Sequence, residues 1–154
     1  MDDERRATFD LPGLQAGQHC PAMKGFFGRW LPPLAWMGLI FVLSAQPDLP
    51  SPPGPWLDTL LKKTGHAVEY AVLAWLYRRA LRPYVGASAV LRTISAALAI
   101  AYALSDEYHQ TFVPGRTGRL FDLAIDGVGA SGAMLLDWWL ERRRALSRQV
   151  PAAR

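Results

Sequence analysis

An uncharged stretch of 18 residues, WLPPLAWMGLIFVLSAQP from Trp30 to Pro47, limits the fold more than any other feature of the chain. A helix of this length rises about 27 Å, close to the roughly 30 Å hydrocarbon core of a bilayer. The preceding segment is acidic as well as basic, and no clear Ala-x-Ala end follows, so we expect a retained helix and not a cleaved signal peptide. Pro32 and Pro33 are predicted in its first turn, where proline is tolerated.

Three further apolar segments follow, and together the four predict an all-α membrane protein, a bundle of four transmembrane helices. The expected spans are about 30–47, 64–81, 87–105 and 120–140. The fourth contains Asp122, Asp126 and Asp137. Its large apolar side chains contribute about −4 kcal/mol to insertion and one central Asp costs roughly +3 kcal/mol, so Asp126 is expected to face protein or water and not lipid. Small residues from Gly127 to Ala133 would allow close helix contact there.

Lysine and arginine alternate between the tails and connections in the order 4, 2, 4, 2, 5. Thirteen of the 17 lie in the N-terminal tail, the second connection and the C-terminal tail. The positive-inside rule therefore predicts that both termini are cytoplasmic and that the first and third connections face outside.

The expected organisation is a polar N-terminal tail over residues 1–28, a transmembrane domain over 29–141 and a basic C-terminal tail over 142–154. Cys20 is the single cysteine, which excludes an internal disulfide and a Cys-x-x-Cys redox motif. The net charge of +4 comes from arginines at the ends of apolar segments and not from a basic stripe with interleaved aromatics, so no nucleic-acid partner is expected.

Polar residues collect where all four predicted helices reach the outer face. Lys62, His66 and Glu69 share one helical face with Tyr70, and Asp106 shares another with His109 and Gln110. Ser44 and Gln46 end the first span, and Asp122 and Asp126 begin the fourth. Glu69 and Asp126 lie about one turn inside the apolar segments, where ionisable groups are functional candidates.

Such a layer supports several chemistries. A carboxylate and a histidine could act as an acid–base pair while the planar guanidinium of Arg116 holds a phosphate or carboxylate. His66-x-x-Glu69 and Asp106-x-x-His109 could each offer two metal ligands, but neither spacing is diagnostic, so no metal ligand is assigned. No P-loop, GxSxG or HExxH motif is present to name a reaction. These residues also have alternative structural roles: Asp122 could cap a helix, Glu69 could pair with a lysine, and Arg116 could contact lipid.

Three motifs resemble those of VanZ-like membrane proteins. SAQP at 44–47 is similar to the Ser-x-Gln-Pro that ends that family's first span. Lys62, His66 and Tyr70 match its Lys-x-x-x-His-x-x-x-Tyr segment. The most specific block matches Asp-Glu-x-x-Gln, Pro-Gly-Arg and a following Asp, here at the positions Asp106, Glu107, Gln110, Pro114, Gly115, Arg116 and Asp122. The resemblance covers about residues 30–140.

The resemblance implies a four-span protein of the bacterial cytoplasmic membrane, linked to the cell envelope. The family's founding member is associated with reduced susceptibility to teicoplanin, and the family has no agreed reaction. Where the family usually has Asn, this chain has Asp126. Two carboxylates one turn apart resist joint ionisation, so we expect Asp126 to share a proton with Asp122 or to pair with Arg116 or Arg119.

Two functions are consistent with these features. The first is an outer-face pocket that binds, and could modify, an envelope component bearing phosphate or sugar, with Glu107, Asp106 and His66 as candidate acid–base groups. The second is a structural or accessory membrane subunit whose polar layer clamps the helices. Expected partners are membrane lipids and a lipid-linked envelope precursor; the cofactor is unassigned and enzymatic activity is left open. The candidate binding residues are Arg116, Gln110, Lys62, Tyr70, Asp122, Asp126, Glu69 and His109.

Overall fold

The computed structural model describes residues 21–47, 54–114, 116 and 120–149. Over these residues the chain forms four α-helices and no strand. They are α1 (Pro21–Ser44), α2 (Pro55–Leu81), α3 (Ser88–Gln110) and α4 (Leu120–Gln149). The all-helical class and the number of helices therefore agree with the sequence prediction.

The helices extend beyond the predicted spans in ways that local sequence explains. Helix α1 begins at Pro21, so Pro32 and Pro33 lie inside it, and the prediction that they occupy its first turn was wrong. Helix α3 continues five residues past Ser105 to Gln110, which places its polar C-terminal residues on a regular helical face. Helix α4 continues through the arginine-rich segment 142–149, since arginine is a good helix former.

Helix α2 is the central element of the bundle and contacts each of the other three helices. The core that it shares with its neighbours contains Tyr70, Leu73 and Ala74 of α2 and the small residues Ala99 and Ala103 of α3. Side-chain bonds attach α1: Trp36 Nε1 donates to the Glu69 carbonyl at 2.9 Å, and the Tyr102 hydroxyl donates to the Met37 carbonyl at 2.7 Å. These contacts set the rotation of α1 against α2 and α3.

A glycine permits the closest approach between α2 and α4. A Cβ atom built on Gly129 would lie 2.1 Å from the carbonyl oxygen of Ala67, whereas one on Gly132 would meet nothing within 4 Å. The expectation of small-residue packing in α4 therefore holds at Gly129, which meets α2 at Ala67, the residue after His66. Close backbone contact at this point is what brings the polar start of α4 against α2.

Large apolar side chains point away from the bundle over much of its surface. Examples from α1 and α4 are Leu31, Leu34, Phe41, Val42, Val128, Leu135 and Leu136. Two helical segments, Gly25–Ser44 and Ser88–Gln110, are long and apolar enough to cross a membrane on length and composition. The predicted membrane character is supported by these two helices, while α2 and α4 do not meet the same criterion.

Candidate functional site

A buried hydrogen-bond network joins the C-terminal ends of α1 and α3. The Ser44 hydroxyl donates to Asp106 Oδ2 at 2.8 Å, and Gln110 Nε2 donates to the same oxygen at 2.9 Å. All three side chains are buried. Asp106 and Gln110 meet on one oxygen because residues four apart share a helical face. The Ser-x-Gln-Pro and Asp-Glu-x-x-Gln segments are thus physically connected through Ser44.

A second group of polar side chains, near this network, comes from three different helices. His66 of α2, Glu107 of α3 and Asp126 of α4 each present a ligand-type atom, and these atoms all lie within 4.8 Å of one another. We call these three residues the His66–Glu107–Asp126 trio. Within it, His66 Nδ1 lies 3.4 Å from Asp126 Oδ1. Sequence spacing did not reveal this group, because its members are far apart in the chain and only helix packing brings them together.

The two acids at the start of α4 have separate partners. Asp126 is 1% exposed and lies against His66. Asp122, one turn earlier, is partly exposed and accepts a bond from Lys63 Nζ at 3.2 Å. Asp126 therefore lies against His66, and no ion pair joins it to Arg116 among the described residues. The expectation that it shares a proton with Asp122 stays a prediction. Arg119, the other predicted partner, lies outside the described residues.

The predicted polar face of α2 divides along its length. Lys62 is exposed and pairs with Asp58 at 2.8 Å, while Tyr70 is completely buried. His66 and Glu69, between these limits, are half-buried. Glu69 lies within electrostatic range of His66, Asp106 and Asp126. The face thus runs from solvent at Lys62 to the bundle interior at Tyr70, and His66 and Glu69 occupy the transition.

Arg116 is anchored on the end of α1. Its Nε donates to the Gln46 carbonyl at 3.1 Å and its Nη2 donates to the Leu43 carbonyl at 3.2 Å. Carbonyls at a helix C-terminus lack intrahelical donors and carry the negative end of the helix dipole, so a guanidinium stabilises them. Two of its five N–H donors are used in these bonds. The side chain is therefore held in place beside the network at Ser44.

His109 faces a different neighbour from the rest of its block. Its ring stacks on Phe41 of α1 with a centroid distance of 4.4 Å, and it is not a member of the trio. Asp106 and His109, which share a helical face in the sequence, therefore have different partners: Asp106 accepts a bond from Ser44, and His109 packs on an aromatic ring. We assign His109 to the α1–α3 contact.

A second charged cluster, which sequence reasoning missed, lies at the opposite end of the bundle. Arg78 Nε contacts Asp137 Oδ2 at 2.7 Å, and Arg92 Nη1 contacts Glu141 Oε2 at 2.7 Å; Arg78 also pairs with Glu141. Arg78 is about 18 Å from His66 along α2, given a rise of 1.5 Å per residue. Asp137 and Glu141 are four residues apart on α4, which was the available signal. This cluster connects α2, α3 and α4.

Comparison with known proteins identifies one matching family. The family model described as VanZ/LLP1 matches residues 26–141. That range contains all four helical cores, the Ser44–Asp106–Gln110 network and the trio. Neither a curated protein nor a solved structure showed significant similarity to the chain.

Proposed function

The chain belongs to the VanZ/LLP1 family, and from that premise we propose that it is a four-span membrane protein with an envelope-facing polar pocket. The family is linked to glycopeptide resistance of the teicoplanin type. In this proposal the pocket, at the His66 and Asp106 end of the bundle, binds an envelope component bearing phosphate or sugar. If the protein also modifies the bound component, a carboxylate or His66 would act as the acid–base group.

The proposal rests on one observation: several polar side chains are buried, while many large apolar side chains are exposed. At one end of the bundle Ser44, Asp106, Gln110 and Asp126 are buried, while large apolar side chains cover much of the outer surface. Buried ionisable groups inside an apolar helix bundle are costly unless they face a cavity or each other, and they mark functional sites by default. An outer apolar surface is what lipid contact requires.

The membrane orientation is part of the same proposal. The arginine-rich end of the bundle would face the cytoplasm, in agreement with 13 of 17 basic residues lying in the tails and second connection. There, Arg143 stacks over Trp139 at 4.0 Å and Arg142 over Trp138 at 5.4 Å. Tryptophan and arginine side by side are typical of a membrane–water interface. The trio would then lie near the outer surface.

Arg116 is proposed as the contact for the anionic part of the ligand. Its guanidinium has donors beyond the two bonded to α1 carbonyls, and those bonds hold it in position. Its planar fork suits a phosphate or carboxylate oxygen pair. Asp106 and Gln110 would present hydrogen-bonding groups for hydroxyls of a sugar.

Phosphate recognition is tested directly with purified protein in detergent. The probe is a short-chain phosphatidic acid, and the matching diacylglycerol, which lacks the phosphate, is the ligand control. We expect the first to raise the melting temperature and the second to leave it unchanged, and Arg116→Gln to weaken the response at least tenfold in ligand concentration. Equal responses to both lipids would refute phosphate recognition.

The cellular test uses a teicoplanin-susceptible bacterium that expresses the chain. Glu107→Gln keeps the shape of the side chain and removes its charge, so we expect it to abolish the tolerance conferred by the wild type at equal membrane levels. Glu141→Gln is the matched acid-to-amide control at the other end of the bundle, and it should retain tolerance. Full tolerance in Glu107→Gln would contradict a pocket role.

The Ser44–Asp106–Gln110 network also favours a second candidate function, a structural clamp in an accessory membrane subunit. Its bonds connect α1 to α3, and Arg116 adds another connection to α1. If the clamp is the whole role, Asp106→Asn should lower the melting temperature and the membrane level, with tolerance per folded molecule unchanged. A pocket predicts the reverse: lost tolerance with a smaller change in melting temperature.

A further inference from the structure

We propose that the His66–Glu107–Asp126 trio binds a divalent transition-metal ion, with zinc or manganese as the fitting class. The trio supplies one imidazole nitrogen and two carboxylate oxygens from three different helices, all within 4.8 Å of one another. Imidazole favours first-row transition ions, and carboxylates are suitable ligands for zinc and manganese. Calcium is disfavoured, since it takes six to eight oxygen ligands.

The geometry of the His66–Asp126 pair fits a shared ion better than a direct hydrogen bond. His66 Nδ1 and Asp126 Oδ1 lie 3.4 Å apart, and neither atom has a hydrogen-bond partner in the part of the chain that the structure describes. Two ligands bound at about 2.1 Å in tetrahedral geometry lie about 3.4 Å apart. The ligand atom of Glu107 lies within 4.8 Å of the other two, so rotation of its side chain would complete the set of three ligands.

The burial of Asp126 is a second, independent observation in favour of a metal ion. Its side chain is 1% exposed, and both of its oxygens lack a hydrogen-bond partner among the described residues. A buried carboxylate whose charged neighbour is an imidazole at 3.4 Å is costly, because too few donors replace its hydration. A metal ion would satisfy it, and in the sequence this residue stands out as an acid inside an apolar span.

The local charge balance points the same way. Four acids, Glu69, Asp106, Glu107 and Asp126, are gathered at this end of the bundle. Among the described residues, two nearby cations have other partners: Lys63 pairs with Asp122, and Arg116 donates to carbonyls at the end of α1. A doubly charged ion between His66 and the two carboxylates would offset the excess of negative charge in a poorly solvated place.

This inference concerns the same region as the proposed function but does not depend on any envelope ligand. An ion held by three protein ligands keeps positions for water or a ligand oxygen. If both proposals hold, the ion would be a second contact for phosphate beside Arg116. Because metal binding is measured on purified protein alone, its failure would leave the phosphate and teicoplanin tests unaffected.

The test begins with full-length protein purified in detergent and stripped with EDTA. Titration with ZnCl₂ and with MnCl₂, followed by removal of free ion and elemental analysis, should recover one ion of at least one metal per chain. Co²⁺ should give a visible absorption band that reports nitrogen and oxygen coordination. Wild-type protein that retains less than about 0.1 ion per chain with every metal would overturn the proposal, as an order-of-magnitude threshold for one specific site.

Variants assign the ligands. Asp126→Asn and His66→Gln keep the side-chain volume, and each should weaken metal affinity at least tenfold and abolish the Co²⁺ band. His109→Gln is the matched control, because this histidine stacks on Phe41 outside the trio, and its affinity should equal that of the wild type. Asp126→Asn that binds as tightly as the wild type would overturn the assignment.

Melting temperature separates loss of a ligand from loss of the fold. In EDTA, Asp126→Asn should melt close to the wild type, since the removal of a buried charge offsets the loss of its contact with His66. The bound metal should raise the melting temperature of the wild type and of His109→Gln but not that of Asp126→Asn. If Asp126→Asn melts far below the wild type in EDTA, the same measurement is made with His66→Gln. Metal should then raise the melting temperature of the wild type and leave that of His66→Gln unchanged.

Discussion

Asp122 and Asp126 show that local sequence does not always predict the surroundings of a single residue. Asp122 and Asp126 are one helical turn apart on α4 and look equivalent in the sequence. Asp122 pairs with Lys63 near the surface, whereas Asp126 is buried against His66. The difference arises because the two side chains point to different parts of α2. A shift of about one helical turn in the register of α4 against α2 would be needed to exchange their surroundings.

Gly129 is the residue for which a small substitution should have the largest structural effect. Gly129→Ala would place a Cβ atom 2.1 Å from the Ala67 carbonyl oxygen, so α2 and α4 would have to separate. Overpacking of this kind costs about 1–3 kcal/mol or more. We expect a lower melting temperature in detergent and weaker metal binding, because His66 and Asp126 flank this contact.

Gly132→Ala is the control for that experiment, since its new Cβ would meet nothing within 4 Å. Alanine is favoured over glycine in a helix by about 1 kcal/mol, so this variant should melt at or above the wild-type temperature. If Gly129→Ala melts with the wild type, the close crossing of α2 and α4 is wrong.

At the scale of helices, two charged clusters hold α2, α3 and α4 together at their opposite ends. One is the trio, and the other contains Arg78, Arg92, Asp137 and Glu141. Because α3 runs antiparallel to α2 and α4, its polar C-terminal end meets their starts and its Arg92 meets their later turns. The arrangement fixes both the register and the rotation of the three helices.

The Arg92–Glu141 pair predicts a pH dependence of stability. The hydrogen bond from Arg92 holds the pKa of Glu141, just beyond the proposed fourth span, below its ordinary value of 4.5. A carboxyl group whose pKa is lower in the folded state stabilises the fold above its unfolded pKa, and this contribution is lost as pH falls through the folded value. We therefore expect the melting temperature in detergent to fall below about pH 4.5.

Glu141→Gln checks the source of that loss. The amide cannot gain a proton, so the variant should be less stable than the wild type at neutral pH and the difference should shrink as the pH falls below about 4.5. Parallel melting curves of the two proteins from neutral to acidic pH would show that Glu141 does not contribute in this way.

At the scale of the whole molecule, apolar side chains lie outside and several polar ones lie within. Water-soluble bundles place their charged residues on the surface and their apolar residues in the core. Here Ser44, Asp106 and Asp126 are buried, while Phe41 and Leu136 are exposed. This exposure agrees with the membrane character that the two apolar helices α1 and α3 indicate, and the two charged clusters lie near the ends of the bundle.

The proposed topology, which rests on the distribution of basic residues, can be tested with reporter fusions. Reporter fusions in the second connection at Gly86 and in the third at Gly115 should report cytoplasmic and external positions respectively. A cytoplasmic phosphatase fusion is inactive and an external one active, so the two fusions should give opposite activities at equal expression. Reversed activities would place the trio at the cytoplasmic face and contradict the positive-inside assignment.

The sequence by itself determined the four helices and their order, because helical periodicity and apolar length are local properties. Its motifs also indicated the family, since polar residues at fixed spacing carry that resemblance. Only the tertiary structure decided which acids pair with which bases: Asp126 with His66, Arg116 with the end of α1, and Arg78 with Asp137. Those pairings depend on the rotation, depth and crossing of whole helices, which contacts between distant residues set and no local pattern contains.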